Sequence, residues 1–410
     1  MEQLTPLRRF GALFALALGG FAVGLTEFVV MGLLPDIARD LLPEQYATDR
    51  EAAIARTGWL ISAYALGVVA GAPTIAALTA RVQRKPLVLG LLGLFVVGTA
   101  ASALAPSFEW ALLARFIGGI PHGAYFGAAG LLASRLLGPG AHAKGFSLVI
   151  AGLTVSNVVG VPAITYLGQA TDWRVAYLAV AAAFALTLFA VLAIVPPVTS
   201  TVIGSPRAEL GSLRSGQVWL TALAAAIGFS AFMAIYTYAA PMTTSVAGLS
   251  ESAVPWVLAT AGLGMTVGNV LGGYSADRDL PRSMTGGFVA LLLAGAVFWV
   301  IARNPVGLFV GVFLVSACGL FLAPALQARL IQVAPGALLM GAALSQSAMN
   351  TANSLGAWLG GLVIAGGFGY LSPAVVAVVL SAVGLGLTVF TFNSQKNNGR
   401  VGHQAYESVQ

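Results

Sequence analysis

Twelve runs of about 20 or more mostly apolar residues divide this chain, at 10–34, 58–80, 86–105, 110–134, 146–169, 174–196, 217–241, 253–276, 283–302, 306–328, 340–366 and 371–393. A run of about 20 apolar residues is what a helix needs to cross a bilayer. In lipid the backbone must satisfy its own polar groups. Long continuous runs, rather than ten-residue alternations, then select helices over barrel strands. The expected fold class is an all-α integral membrane protein with twelve transmembrane helices. Charge supports this: only 8% of the 410 residues are charged, against roughly 25% in soluble domains. Intrinsic disorder is excluded by the apolar content. The lone Cys318 excludes an internal disulfide framework.

The net charge of +6 does not read as a nucleic-acid footprint, because the basic residues sit in short loops between apolar runs. Their distribution sets orientation instead. With the N-terminus in the cytoplasm, that side holds Arg8, Arg9, Arg81, Arg84, Lys85, Arg135, Lys144, Arg207, Arg214, Arg278, Arg282, Arg329, Lys396 and Arg400. The outside holds only Arg39, Arg50, Arg56, Arg174 and Arg303. Both termini are therefore expected inside. Trp59, Trp110, Trp173, Trp219, Trp256 and Trp299 fall near expected span ends, as an interfacial aromatic belt requires. Arg8-Arg9 before an apolar stretch resembles a signal peptide, but the run is too long and eleven more follow.

Residues 197–216 are polar, Pro/Ser-rich and non-periodic, and mark a cytoplasmic linker between two sets of six spans. The expected organisation is a bundle over 1–196, a linker over 197–216, a bundle over 217–393 and a cytoplasmic tail over 394–410. The halves echo each other. Thr79-Ala80-Arg81 matches Ala276-Asp277-Arg278 at an offset of 197, and the Asn157 segment of span five matches the Asn353 segment of span eleven at 196. Two pseudo-symmetric six-helix bundles with a binding site between them form a transporter architecture.

Charge inside a span is costly and marks function by default. Glu27 in span one and Arg115 in span four are the charges well inside. Counted from the expected span ends at about 1.5 Å per residue, they lie at similar depths of roughly 10 Å and 8 Å. They are expected to face each other as neighbours. Burial favours the protonated carboxyl and a nearby guanidinium the ionised one, so Glu27 is read as a proton-coupling site with Arg115 beside it. His122, seven residues after Arg115, shares its face and is a candidate proton relay or packing residue. Without a second His or Cys nearby, no metal site is expected.

Gln346, Asn350 and Asn353 form a stripe on span eleven at i, i+4 and i+7. Such a stripe belongs against protein or a water-filled cavity. With Asn157, Asn269, Gln327, Tyr125 and the aromatic group Phe232, Tyr236 and Tyr238, it supplies the candidate substrate cavity. Amides and aromatics together suit neutral or amphiphilic organic molecules better than ions. Gly160 and Pro162 in span five, like Gly118, Gly119 and Pro121 in span four, suggest bends or close packing. There is no Walker loop, nucleophile elbow, zinc-protease motif or Cys pair, so neither an enzyme nor an ATP motor is indicated. The acidic outer loop 35–57 is read as solvated.

Taken together these motifs resemble the major facilitator superfamily, and more narrowly its drug:proton antiporter 1 group, near the arabinose-efflux-permease-like (AraJ-like) members. The resemblance rests on Gly24-Leu-Thr-Glu27 through Pro35, Tyr64 through Pro73, Arg115 through Gly127, Gly152 through Pro162, and the Asn269–Gly273 run with Asp277-Arg278. It implies that Arg115 serves proton coupling and that Gly160 and Pro162 mark an antiporter. It implies a gating loop after span two, here Arg81, Arg84 and Lys85. The family's Asp and both Gly are missing there, whereas the matching second-half loop keeps Gly273, Asp277, Arg278 and Arg282.

The expected function is proton-coupled efflux of a small organic solute (drug, sugar or nucleoside) by alternating access. The alternatives are an importing symporter or facilitator on the same fold, and a non-transporting membrane sensor. The expected partners are substrate, protons and the lipid bilayer of a bacterial inner membrane. No nucleic acid and no cofactor beyond the proton gradient is expected, and the chain is expected to be a monomer.

Overall fold

The computed structural model describes residues 5–79, 82–138, 141–196, 214–334 and 338–407. Among them there is no strand. Twelve helical spans follow in order. Span one is Pro6–Leu41, two Trp59–Leu78, three Arg84–Ala103, and four Phe108–Gly119 continued as His122–Leu137. Five runs His142–Val155, Ser156–Gly160 and Val161–Ala170; six is Trp173–Ile194. Seven is Gly216–Tyr236, extended by Ala239–Pro241 and Met242–Val246; eight is Val254–Arg278 and nine Leu280–Ile301. Ten is Pro305–Gln332, eleven Leu338–Val363 extended by Ile364–Phe368, and twelve Ser372–Glu407. Each falls where the apolar runs predict it. The linker at 197–213 and Arg81 lie outside the described residues.

Local chemistry sets the ends and breaks. Asp172, Asp279 and Asn304 cap spans six, nine and ten, accepting from Arg174 N at 2.7 Å, Arg282 N at 3.1 Å and Gly307 N at 2.8 Å. Pro121 has no N–H to continue the ladder. Span four breaks there, and Ile120 N donates instead to Ile117 O at 3.2 Å. Pro162 has the same effect on span five, where Ser156–Gly160 forms a π turn.

Among the described residues, ten helices are long and apolar enough to cross a membrane on their own. Span four misses because its break leaves two short helices. Span eleven misses because Gln346, Asn350 and Asn353 lower its apolarity. The outward faces carry large apolar side chains, among them Leu66, Val97, Phe189, Val270, Val300 and Phe390, as lipid contact requires.

The halves repeat one packing device. In the first, Gly67 and Gly71 of span two lie against the backbones of Phe116 and Ile120 in span four. In the second, Gly264 and Gly268 of span eight lie against Phe313 and Ala317 of span ten. All four residues correspond at the offset of 197 found in the loops. Small residues four apart let two backbones approach, so each bundle fastens the same pair of helices in the same register.

Two expectations need correction. The segment 35–57 is not a solvated loop. Span one continues through Pro35 to Leu41, and two short helices follow, Pro43–Thr48 and Arg50–Thr57. The second buries Ala53, Ile54, Ala55 and Thr57 and packs on span eleven and its Ile364–Phe368 extension. Trp173 is no interfacial anchor: it is buried, with Nε1 donating to Asp40 Oδ2 at 3.0 Å. The tail also proves helical, continuing span twelve to Glu407.

Candidate functional site

The two halves meet along spans two and eleven, five and eight, and one and the extension of seven. These contacts concentrate toward the end of the molecule away from the termini. Ser62 Oγ donates to Ser354 O at 3.0 Å. Gly58 of the first half and Gly361 of the second both lie against the Tyr238 hydroxyl, and Gly361 also faces Ala55 O. A side chain at either glycine would push that end apart.

Glu27 lies in this interface and is 8% exposed. Its Oε1 accepts from Asn353 Nδ2 at 3.0 Å. A carboxylate of the first half thus bonds an amide of the second across 326 positions of sequence. Both residues stand out in the sequence as polar positions within spans, but nothing there pairs them.

The expected direct pairing of Glu27 with Arg115 is corrected. No ion pair forms between them among the described residues. Arg115 Nη1 instead donates to Thr26 O at 2.8 Å and Thr26 Oγ1 at 3.2 Å, and Nε to Leu60 O at 3.4 Å. Its guanidinium carbon lies 4.2 Å from the centre of the Tyr64 ring and 5.8 Å from that of Tyr177. Backbone carbonyls and aromatic faces hold the buried charge, and Nη2 has no partner. His122 shares a hydrogen bond with the Tyr64 hydroxyl at 3.0 Å. It opens the second segment of span four, after the break, and meets the same Tyr64 side chain as Arg115. Thr26, Tyr64 and Tyr177 are therefore parts of the site that sequence reasoning missed. Tyr64 is visible in the span-two motif, five residues after Trp59, but only packing reveals that it joins Arg115 to His122.

The candidate cavity residues separate into two groups. Tyr236 stacks on Phe232, with ring centres 5.3 Å apart, and meets Phe28 of the first half edge-on at 5.8 Å. The Tyr236 hydroxyl and the Oδ1 atoms of Asn157, Asn350 and Asn353 are buried without partners. Leaving such a group unpaired costs about 1–3 kcal/mol. Behind Tyr236 a small cavity is lined by Met242, Val312, Val315 and Ser316. Gln346 O accepts from Asn350 Nδ2 at 3.1 Å. Asn269 and Gln327 are half-buried on spans eight and ten.

Two tyrosines leave the cavity set. Tyr125 is fully buried inside the first bundle, its hydroxyl donating to Leu16 O at 2.8 Å and its ring edge-on to Phe95. The Tyr238 hydroxyl donates to Ala357 O at 2.7 Å, joining spans seven and eleven.

Among the described residues of the expected gating set, no ion pair forms between one member and another. Arg278 folds back onto Tyr274 of its own helix, 4.1 Å from the ring centre. Asp277 is exposed, and no ion pair forms to it among the described residues; Asp279 pairs with Arg282 at 3.3 Å instead. Gly273 faces open space, whereas Gly264, Gly268 and Gly272 make the close contacts with span ten. Lys85 Nζ donates to Leu192 O at 2.9 Å, tying span three to span six, and Arg84 is half-buried beside it. Gly160 packs against Phe21 and Leu25 of span one, and Pro162 ends the π turn. Among the described residues no group of His, Cys, Asp and Glu could hold a metal ion.

The family model described as Major Facilitator Superfamily matches residues 16–300. This chain belongs to that superfamily. One relative, the inner membrane transport protein YdhP of Escherichia coli (strain K12), is 32% identical over 383 residues, covering 93% of this chain and 96% of its own. A relative named AraJ from the same organism is 33% identical, covering 90% and 92%. A chloramphenicol resistance protein of Streptomyces lividans is 29% identical, covering 93% and 96%. A solved D-xylose-proton symporter shares the fold, with a TM-score of 0.71 and 18% identity over 92% of this chain and 97% of that one. This superfamily member is thus a multi-pass membrane transporter, built as two six-helix bundles with polar residues gathered between them.

Proposed function

We propose that this transporter exports a small organic solute in exchange for protons. The supporting observation is the Glu27–Asn353 hydrogen bond, which spans the two halves. Alternating access moves one half against the other, so a bond between them contributes to one state and not to the opposite one. A proton arriving on Glu27 changes that bond, and a ligand shifts a conformational equilibrium only through such a difference between states. Arg115 stands close by without claiming the carboxylate, which leaves Glu27 available to the proton.

Export is favoured over import by the relative named as a chloramphenicol resistance protein. The surplus of Lys and Arg in loops on the termini side supports cytoplasmic termini, and the relative named as an inner membrane transport protein supports a bacterial inner membrane. In this orientation the closed end faces outward.

The test is proton movement in proteoliposomes under an imposed pH gradient, with chloramphenicol and isopropyl thiogalactoside as probes. Export predicts probe movement against the proton flux. Movement in the same direction as the protons would establish symport instead. Proton movement unaltered by Glu27→Gln would remove Glu27 from the coupling.

A further inference from the structure

Asn353 makes one hydrogen bond and leaves another unmade. Its Nδ2 donates to Glu27 Oε1 at 3.0 Å, which fixes the amide and turns Oδ1 the other way. That oxygen is buried and unpartnered, on a side chain only 7% exposed. One turn along the same stripe Asn350 repeats the arrangement: Nδ2 is held by Gln346 O at 3.1 Å, and Oδ1 is again buried and unpartnered. Buried acceptors without donors are rare enough to require an explanation.

We propose that the paired amide oxygens of Asn350 and Asn353 bind a neutral solute through its O–H or N–H donors, and that the protonation state of Glu27 controls the acceptor on Asn353. This rests on the proton-coupling reading of Glu27 given above. An ionised carboxylate accepts hydrogen bonds only. It holds the Asn353 amide by its NH2 group and leaves Oδ1 for the solute. A protonated carboxyl gains a donor. It then binds Asn353 Oδ1, the amide reverses, and the solute meets an NH2 group where it had met an oxygen. Proton and solute compete for one oxygen without sharing a binding position, which yields exchange.

Charge balance selects a neutral solute. Glu27 and Arg115 offset each other in the same buried region, and a charged ligand would leave one charge uncompensated. The groups around Glu27 are few. Arg115 and Tyr64 approach from spans four and two and Tyr236 from span seven. Tyr177 of span six lies on Arg115 and His122 on Tyr64. Span eleven has no ionisable residue from Leu338 to Val363. Spans five and eight pack beside span one with their charged residues at their far ends (Lys144, Asp277 and Arg278). The apolar part of the solute is met by the rings of Phe28, Phe232 and Tyr236.

The experiment uses the full-length protein in nanodiscs. Equilibrium binding of chloramphenicol and isopropyl thiogalactoside, both neutral and rich in donors, is measured at pH 8 and pH 6, with chloramphenicol diacetate as the hydroxyl-blocked control. At least one donor-bearing probe is expected to bind at pH 8 and to weaken by about tenfold at pH 6, the effect of one good hydrogen bond. The diacetate, which keeps only its amide N–H as a donor, is expected to show a smaller pH difference than chloramphenicol. Asn353→Leu and the milder Asn353→Ser are expected to bind at the weak level at both pH values, as is Glu27→Gln, whose amide donates like the protonated acid. Infrared difference spectra across the same pH step report the protonated carboxyl of Glu27 as a band absent from Glu27→Gln. If wild type lacks that band, the proton-coupling reading fails and carries this inference with it. If the band is present but both Asn353 variants keep the pH difference, only this inference fails. Failure of both donor-bearing probes to bind at pH 8 overturns it as well.

Discussion

The Arg115 guanidinium carbon stands 4.2 Å from the centre of the Tyr64 ring, while the hydroxyl of the same tyrosine reaches His122 at 3.0 Å. One side chain thus positions a buried cation with its face and a buried imidazole with its edge. Substitutions separate the two duties. Tyr64→Phe keeps the face and loses the hydroxyl. It is expected to cost about 1–2 kcal/mol for the hydrogen bond lost, read as a lower thermal midpoint in detergent. Arg115→Lys replaces a planar fork with a point charge that cannot stack and reach Thr26 together. It is expected to cut probe exchange in proteoliposomes by about tenfold or more. Equal stability of Tyr64→Phe and wild type would show that the hydroxyl contributes nothing.

Closure of the end away from the termini depends on two positions with no side chain. Gly58 and Gly361 approach the Tyr238 hydroxyl from opposite halves. Gly361→Val would also meet Ala55 O of the first half and is therefore expected to hold that end apart. Spin labels placed on Arg50–Thr57 and on the Ile364–Phe368 extension would report a longer distance than in wild type, and probe exchange would fall to background. An unchanged distance with a valine at 361 would mean that the two halves do not close on these glycines.

Much of this architecture is legible in the sequence because lipid imposes a simple demand. A spanning helix must be apolar for about 20 residues, so the spans, the break at Pro121 and the bend at Pro162 all leave marks. The repeat offset is legible too, and the Gly67–Phe116 and Gly264–Phe313 contacts give it a physical meaning. Partners are not legible. Arg115 and Glu27 stand at matching depths, yet the carbonyls of Thr26 and Leu60 take the guanidinium, and no local pattern announces which acceptor prevails. Asn353 is conspicuous as a polar residue in a span, but its bond to Glu27 depends on how two bundles dock. Segment 35–57 misleads for a related reason: its acids dominate the composition, while the small apolar face of Ala53, Ile54 and Ala55 does the packing.

The matched glycines make a stability prediction that distinguishes neighbours in sequence. Gly268→Ala would place a methyl against the Ala317 backbone of span ten, and Gly71→Ala one against Ile120 of span four. Each is expected to destabilise its own bundle by about 1–3 kcal/mol, the usual cost of overpacking. Gly273→Ala meets open space and removes a poor helix former, so it is expected to be neutral or to stabilise by about 0.5–1 kcal/mol. Thermal unfolding of the three variants in one detergent decides the matter. A loss at Gly273 equal to that at Gly268 would mean that backbone approach between spans eight and ten is not what these glycines supply.

Tyr125 and Tyr236 have similar burial and opposite expected roles. The Tyr125 hydroxyl is already engaged, bonded to Leu16 O at 2.8 Å inside the first bundle. The Tyr236 hydroxyl has no partner and belongs to a ring that faces Phe28 across the two halves. Removing the first should therefore be felt as stability and removing the second as affinity. Tyr125→Phe is expected to lose about 1 kcal/mol of stability with chloramphenicol binding unchanged. Tyr236→Phe removes an orphaned hydroxyl and so is expected to hold or raise the thermal midpoint, while weakening chloramphenicol binding by roughly threefold to tenfold if the solute supplies the missing partner. Tyr236→Phe leaving affinity intact would place this hydroxyl outside the solute's reach, and a weakened Tyr125→Phe would return that tyrosine to the cavity.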